Sequence, residues 1–249
     1  MTTAVLVHGN PETAAIWGPL LALLERDDVV TLSPPGFGAP VPEGFGATAD
    51  EYAEWLASEL AKFDGPVDLV GHDWGGGHVV RVACDHPELI RSWCTDIAGC
   101  FAPDYVWHDF AQAWQTPGVG EEAVAGQVAG DPKDQAALYQ SLGMTSDVAM
   151  QLAQAFDETM GRCILSLYRS AAQPAMSRWG ENLPAAKARP GLVLIPTEDT
   201  FTGGEERARA SADRAGARVE VLDGLGHWWM LQDPKPGAAA LQRFWNSLG

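Results

Sequence analysis

Short apolar runs punctuate the chain at Ala4–Val7, Val29–Leu32, Val67–Val70, Trp93–Ile97, Leu192–Ile195 and Val219–Leu222. Their density of β-branched and aliphatic residues suits strands covered on both faces, and stretches of helical period separate them. The pattern predicts an α/β fold, a mostly parallel sheet of about six strands with helices packed on it. Between the second and third runs, Tyr52, Trp55, Leu56, Leu60 and Phe63 recur at helical spacing. A helix is therefore expected over Thr48 to Phe63, capped by Thr48 or Asp50.

The alternation lapses between Phe101 and Pro184, where helical segments containing Trp and Tyr are broken at Pro117-Gly118, Gly130-Asp131-Pro132 and Gly143. That span is too long for a plain loop in a compact domain, so it reads as an inserted helical cap. The organisation expected is a core of residues 1–100 and 185–249 with a cap at 101–184. A further helix is expected near Ala208 to Ala217, with Arg and Asp on its outer face.

Of the 249 residues, 46% are hydrophobic and 20% charged, which fits a folded domain with a real core. The formal net charge of −17 opposes binding to nucleic acid or to an anionic membrane surface, so partners are expected to be small and neutral. Cys84, Cys94, Cys100 and Cys163 lack metal-ligand or redox spacing and read as small buried thiols. No apolar run reaches the roughly 20 residues of a membrane helix. No secretory pattern precedes Ala4, so a cytoplasmic location is expected.

The chemistry is concentrated at Val67-Asp68-Leu69-Val70-Gly71-His72-Asp73-Trp74-Gly75-Gly76-Gly77. A buried strand, a turn flanked by glycines and a helix follow one another, which is the context of a nucleophile elbow with Asp in place of Ser. A tight turn of that kind strains residue 73 and needs small neighbours at Gly71, Gly75 and Gly76. The helix start then aims its N–H groups at the Asp73 carboxylate. Capping that helix would be the ordinary task of an Asp at this place, but a cap alone does not require the three glycines.

Four segments together carry a resemblance: His8-Gly9-Asn10-Pro11-Glu12, Pro35-Gly36-Phe37-Gly38, Gly71 to Gly76, and Gly224-Leu225-Gly226-His227-Trp228. In this order the chain resembles the α/β-hydrolase superfamily, in particular its epoxide hydrolase and haloalkane dehalogenase branch. The resemblance implies an oxyanion hole from the N–H groups of residue 10 and Trp74, with His8 as a supporting hydrogen-bonder. It implies His227 as the base, Asp199 as the acid orienting it, and Glu198 or Asp104 as fallback acids. His72, preceding the nucleophile, is expected to point away from the site.

A carboxylate nucleophile forms an alkyl ester that an activated water then hydrolyses, so no metal or organic cofactor is required. A departing alkoxide needs a proton donor, whereas a halide needs only hydrogen bonds. The segments Trp114 to Glu121 and Leu165 to Arg169 are similar to cap segments of epoxide hydrolases, and the match implies Tyr168 as a proton donor. Phe110 stands where a first donor tyrosine is expected, with Tyr105 and His108 as its possible replacements. Tyr168 could equally be a packed amphipathic residue. Trp107, Trp114 and Trp179 are expected in the cap core. Asn10 and Trp74 together match the halide-binding pair of dehalogenases. The leading expectation is a hydrolase opening a small or medium apolar epoxide, with a haloalkane dehalogenase and a non-catalytic binding homologue as alternatives. Relative to usual members, an antiparallel strand pair before the His-Gly loop is missing, which would expose Val29–Leu32 as a sheet edge that is expected to be either covered locally or used in a homodimer.

Overall fold

The computed structural model describes residues 2–249. Its sheet has six strands, β1 (Ala4–Val7), β2 (Val29–Leu32), β3 (Val67–Gly71), β4 (Ile90–Thr95), β5 (Gly191–Pro196) and β6 (Arg218–Leu222). They lie in the order β2-β1-β3-β4-β5-β6, and every pairing is parallel. The helices are α1 (Gly18–Leu21), α2 (Ala49–Leu60), α3 (Trp74–Asp85), α4 (Asp109–Gln115), α5 (Val119–Ala129), α6 (Pro132–Ser141), α7 (Ser146–Ala155), α8 (Glu158–Ser170), α9 (Ala175–Glu181), α10 (Gly204–Arg214), α11 (Trp229–Gln232) and α12 (Pro234–Asn246). This is the doubly covered parallel sheet that the apolar runs predict.

Local chemistry explains the boundaries. Thr48 caps α2 through a reciprocal box with Glu51, whose carboxylate also receives the Gly46 N–H. Strand β4 begins and ends earlier than Trp93–Ile97, because Ile90 already pairs with Val67 and the chain turns after Thr95. That turn frees Asp96 from the ladder and delivers its carboxylate to the back of the elbow.

Helices α4 to α9 occupy the chain between β4 and β5. On α8, Met160, Ile164, Leu167 and Tyr168 recur at helical spacing and are buried. They share one apolar core with Val7, Leu69 and Trp93 of the sheet. Strand β2 forms one edge, and Val30 on it is 37% exposed. Among the described residues no helix is long and apolar enough to cross a membrane.

Because the strands are parallel, their carboxyl ends share one side of the sheet. The loops leaving β1, β3, β4, β5 and β6 carry Asn10, Asp73, Asp96, Asp199 and His227 respectively.

Candidate active site

The turn between β3 and α3 holds Asp73 at φ 48° and ψ −130°, a conformation an L-residue adopts only when its surroundings impose it. The surroundings are tight enough to do so: a Cβ at Gly75 would stand 2.2 Å from the Val7 carbonyl oxygen. The Asp73 side chain is thereby thrown forward, 16% exposed, into a cavity of about 260 Å³. Asn10 donates its backbone N–H to Asp73 Oδ1 at 2.9 Å, while the Asp73 N–H goes to Asp96 Oδ1 at 3.2 Å.

His227 lines the same cavity, with Nε2 at 3.6 Å from Asp73 Oδ2. Its Nδ1 faces Asp199 Oδ2 at 2.8 Å, and Asp199 Oδ1 receives the Phe201 N–H at 2.8 Å. With Asp199 accepting at Nδ1, the neutral imidazole keeps Nε2 free to take a proton on the Asp73 side. The three residues expected from sequence are thus brought together. Burial pushes the Asp73 carboxyl up to about 6, against the pull of His227. Burial opposes the charge of His227 as well, but Asp199 and Asp73 outweigh it and raise that pKa. Asp199 is lowered, the nearby His227 overcoming its burial.

The fallback acids lie elsewhere. Asp104 is an exposed partner of Arg207, and Glu198 lines an outer groove beside His227. His8 supports the loop through Ser33 Oγ at 3.1 Å, as expected.

Behind the elbow lies an arrangement the sequence reading did not assemble. His72 does turn from the cavity, but only into a buried nest: Nδ1 faces Asp96 Oδ2 at 2.6 Å and Nε2 faces Glu12 Oε1 at 3.1 Å. An imidazole with a carboxylate at each nitrogen donates twice and is therefore protonated. Burial opposes this, yet Asp96 and Glu12 raise the His72 pKa well above its ordinary value. Glu12 is correspondingly lowered to about 2, His72 overcoming burial. Glu12 also accepts from the Gly9 N–H at 2.9 Å and the Trp228 indole at 2.6 Å, and Asp96 accepts from the Trp229 indole at 2.8 Å. One buried network thus ties together the loops that carry Asn10, Asp73 and His227. Glu12, His72 and His227 also hold ligand-type atoms within 4.8 Å of one another, but each is already engaged, His72 with Glu12 and Asp96, Glu12 with Trp228 and His227 with Asp199. No sequence signal joins Glu12, His72 and Asp96, which lie on three separate strand-end loops and meet only through their side-chain directions.

Tyr168 is 2% exposed and lines the main cavity with Asp73. Burial raises its hydroxyl well above the ordinary range, as does the charge of Asp73, and the Trp74 indole beside it works the other way. Trp74 itself lines an adjoining small space, stacked on Trp107 at 5.7 Å, and Asn10 lines the main cavity. Asp73, His108, Tyr168 and Phe201 line both spaces, so Asn10 and Trp74 stand around adjoining parts of one site. Tyr105 gives its hydroxyl to the Phe201 carbonyl at 2.7 Å. His108 lines the cavity and accepts the Ala111 N–H at Nδ1, with burial lowering its pKa to about 4. Phe110 lines the cavity and is 42% exposed. Trp114, expected in the cap core, also forms cavity wall, and Trp179 lies under the Arg81 guanidinium at 4.8 Å.

An all-parallel sheet with these residues on its strand-end loops defines an α/β hydrolase. The chain belongs to the alpha/beta hydrolase family, whose model matches residues 4–240. No curated protein matches the chain significantly. Among solved structures, it is similar to E-2-(acetamidomethylene)succinate hydrolase at 17% identity and a TM-score of 0.76, covering 98% of this chain and 91% of that one. A haloalkane dehalogenase from Bradyrhizobium elkani matches at 19% identity and 0.73, with 98% and 90% covered. A thermophilic esterase from Thermogutta terrifontis matches at 19% and 0.75, with 100% and 90% covered. Such identities establish the common fold.

Proposed function

We propose that the protein hydrolyses a neutral, largely apolar epoxide to a diol through an ester on Asp73. The observation that carries this reading is the placing of Tyr168 on one cavity wall with Asp73 and His227. Asp73 attacks an epoxide carbon, the carbon–oxygen bond breaks, and the alkoxide takes the Tyr168 proton. His227 then accepts a proton from water as it adds to the ester carbonyl, and the oxyanion forms where Asp73 Oδ1 now receives the Asn10 N–H. Collapse releases the diol. Of the two water protons, one ends on the product alcohol and the other restores Tyr168.

His108 supplies the second donor in place of the tyrosine expected at Phe110. Because its Nδ1 accepts from Ala111, the neutral ring carries its proton on Nε2. The side-chain Oδ1 and Nδ2 of Asn10 favour the same chemistry. Both are buried without a hydrogen-bond partner among the described residues, and a hydroxyl satisfies donor and acceptor together whereas a halide satisfies only the donor. Asn10 is also what supports the alternative, halide release from a haloalkane, since the residue lines the cavity and its amide N–H group has no partner among the described residues.

The test is Tyr168→Phe assayed on styrene oxide-like epoxides and on bromoalkanes. The epoxide reading expects a loss of about a hundredfold or more on epoxides, the scale of a missing general acid, with little change on bromoalkanes. Equal activity of the variant on epoxides removes Tyr168 from the reaction, and halide release exceeding diol formation in the wild type selects the dehalogenase instead.

A further inference from the structure

The cavity has a second polar pole that this reaction does not use. Gln127 on α5, with Gln135 and Tyr139 on α6, lines the same cavity as Asp73. Gln135 donates from Nε2 to the Gln127 carbonyl, and Gln127 donates from its own Nε2 to the Tyr139 hydroxyl at 3.1 Å. These bonds orient the Gln135 amide so that Oε1 is left over, and that oxygen is buried with no partner among the described residues. Tyr139, 5% exposed, has received its bond and retains an O–H to give.

A buried acceptor without a donor is costly, and the walls nearby are Phe110, Trp114, Leu138 and Leu142. The cluster therefore interrupts an apolar lining with one acceptor and one donor. Among the described residues neither Lys nor Arg lines the cavity, so no permanent cation is present in the lining to pair with an anion. A neutral group that both donates and accepts fits these two partners.

We propose that the α5–α6 end of the cavity is a polar subsite for a hydroxyl or amide carried by the substrate away from its reacting carbon. The substrate is then a functionalised epoxide rather than a plain hydrocarbon one. One cavity of about 260 Å³ is lined both by Asp73 and by this cluster, so a single small molecule is exposed to both. The identity of the reacting end rests on the epoxide reading, whereas the subsite is a property of the cavity alone.

Calorimetric binding of vicinal diols, compared with chain-matched diols bearing a terminal hydroxyl or a terminal amide, tests the subsite without turnover. For the wild-type protein one chain length is expected to gain about three- to tenfold in affinity from the terminal group, the yield of a typical hydrogen bond. Gln135→Leu is expected to erase that gain. Gln135 is partly exposed on its helix, and the wild-type comparison is decisive even without the variant. Equal affinities at every chain length overturn the subsite, as does a gain that survives Gln135→Leu. Absence of turnover on the matched epoxides overturns the epoxide reading and leaves the subsite to be decided by the binding comparison.

Discussion

The Trp228 indole N–H donates to Glu12 at 2.6 Å, fastening the residue after the base to the loop that supplies the Asn10 N–H. The same Glu12 holds the Gly9 N–H and one nitrogen of His72. Glu12 therefore positions both the base loop and the oxyanion donor. Glu12→Gln keeps the volume but leaves a protonated His72 with one carboxylate. The oxyanion donor matters most when water adds to the ester, so this variant is expected to slow ester hydrolysis about tenfold or more while ester formation changes less. Rapid-quench mass spectrometry would show an accumulating adduct. Equal slowing of both steps would make Glu12 a general structural residue.

Removing the Asp73 charge has a defined electrostatic sign. Asp73 contributes to raising the His227 pKa, so Asp73→Asn is expected to lower the His227 pKa measured by NMR titration. On the proposed pathway, ester formation would neutralise Asp73 in the same way and make His227 a more available base for the second step. In the free enzyme, Asp73 raised to about 6 must be ionised to attack, so kcat/KM is expected to fall as pH drops through about 6. A His227 pKa unchanged in Asp73→Asn would contradict this coupling.

Gly9 approaches the nucleophile so closely that an added Cβ would stand 2.1 Å from Asp73 Oδ1. Gly9→Ala must displace either the loop or the carboxylate. A displacement of about 1 Å is expected to cost about a hundredfold in turnover with circular dichroism unchanged. Near wild-type turnover would show that the loop relaxes without cost.

The fold was legible because its signals are local. Apolar runs at Ala4–Val7 and Val29–Leu32 coincide with β1 and β2, and Thr48 with Glu51 makes the start of α2 readable. The end of β4 was less readable, since Trp93 to Ile97 is uniformly strand-like and only the turn that delivers Asp96 to His72 decides it. Asp73 stood out because it follows a strand in a glycine-flanked turn, whereas His227 and Asp199 were picked out by the resemblance of their segments, with Glu198 and Asp104 as fallback acids. The Glu12–His72–Asp96 nest and Trp114 as cavity wall depend on side-chain directions fixed by tertiary packing.

Strand β2 pairs only with β1 among the described residues, and Val30 is 37% exposed on that edge. An open edge favours pairing with a second copy. Light scattering is expected to give a dimer for the wild type and a monomer for Val30→Lys, which places a charge on the edge. A wild-type monomer would count against pairing through β2.

Intact-protein and peptide mass spectrometry of His227→Gln directly tests whether a covalent ester forms on Asp73. After exposure to an epoxide substrate, the variant is expected to gain one substrate mass, located on the peptide containing Asp73, with little diol released. A substrate-turning wild type whose His227→Gln variant carries no adduct on Asp73 would contradict the account.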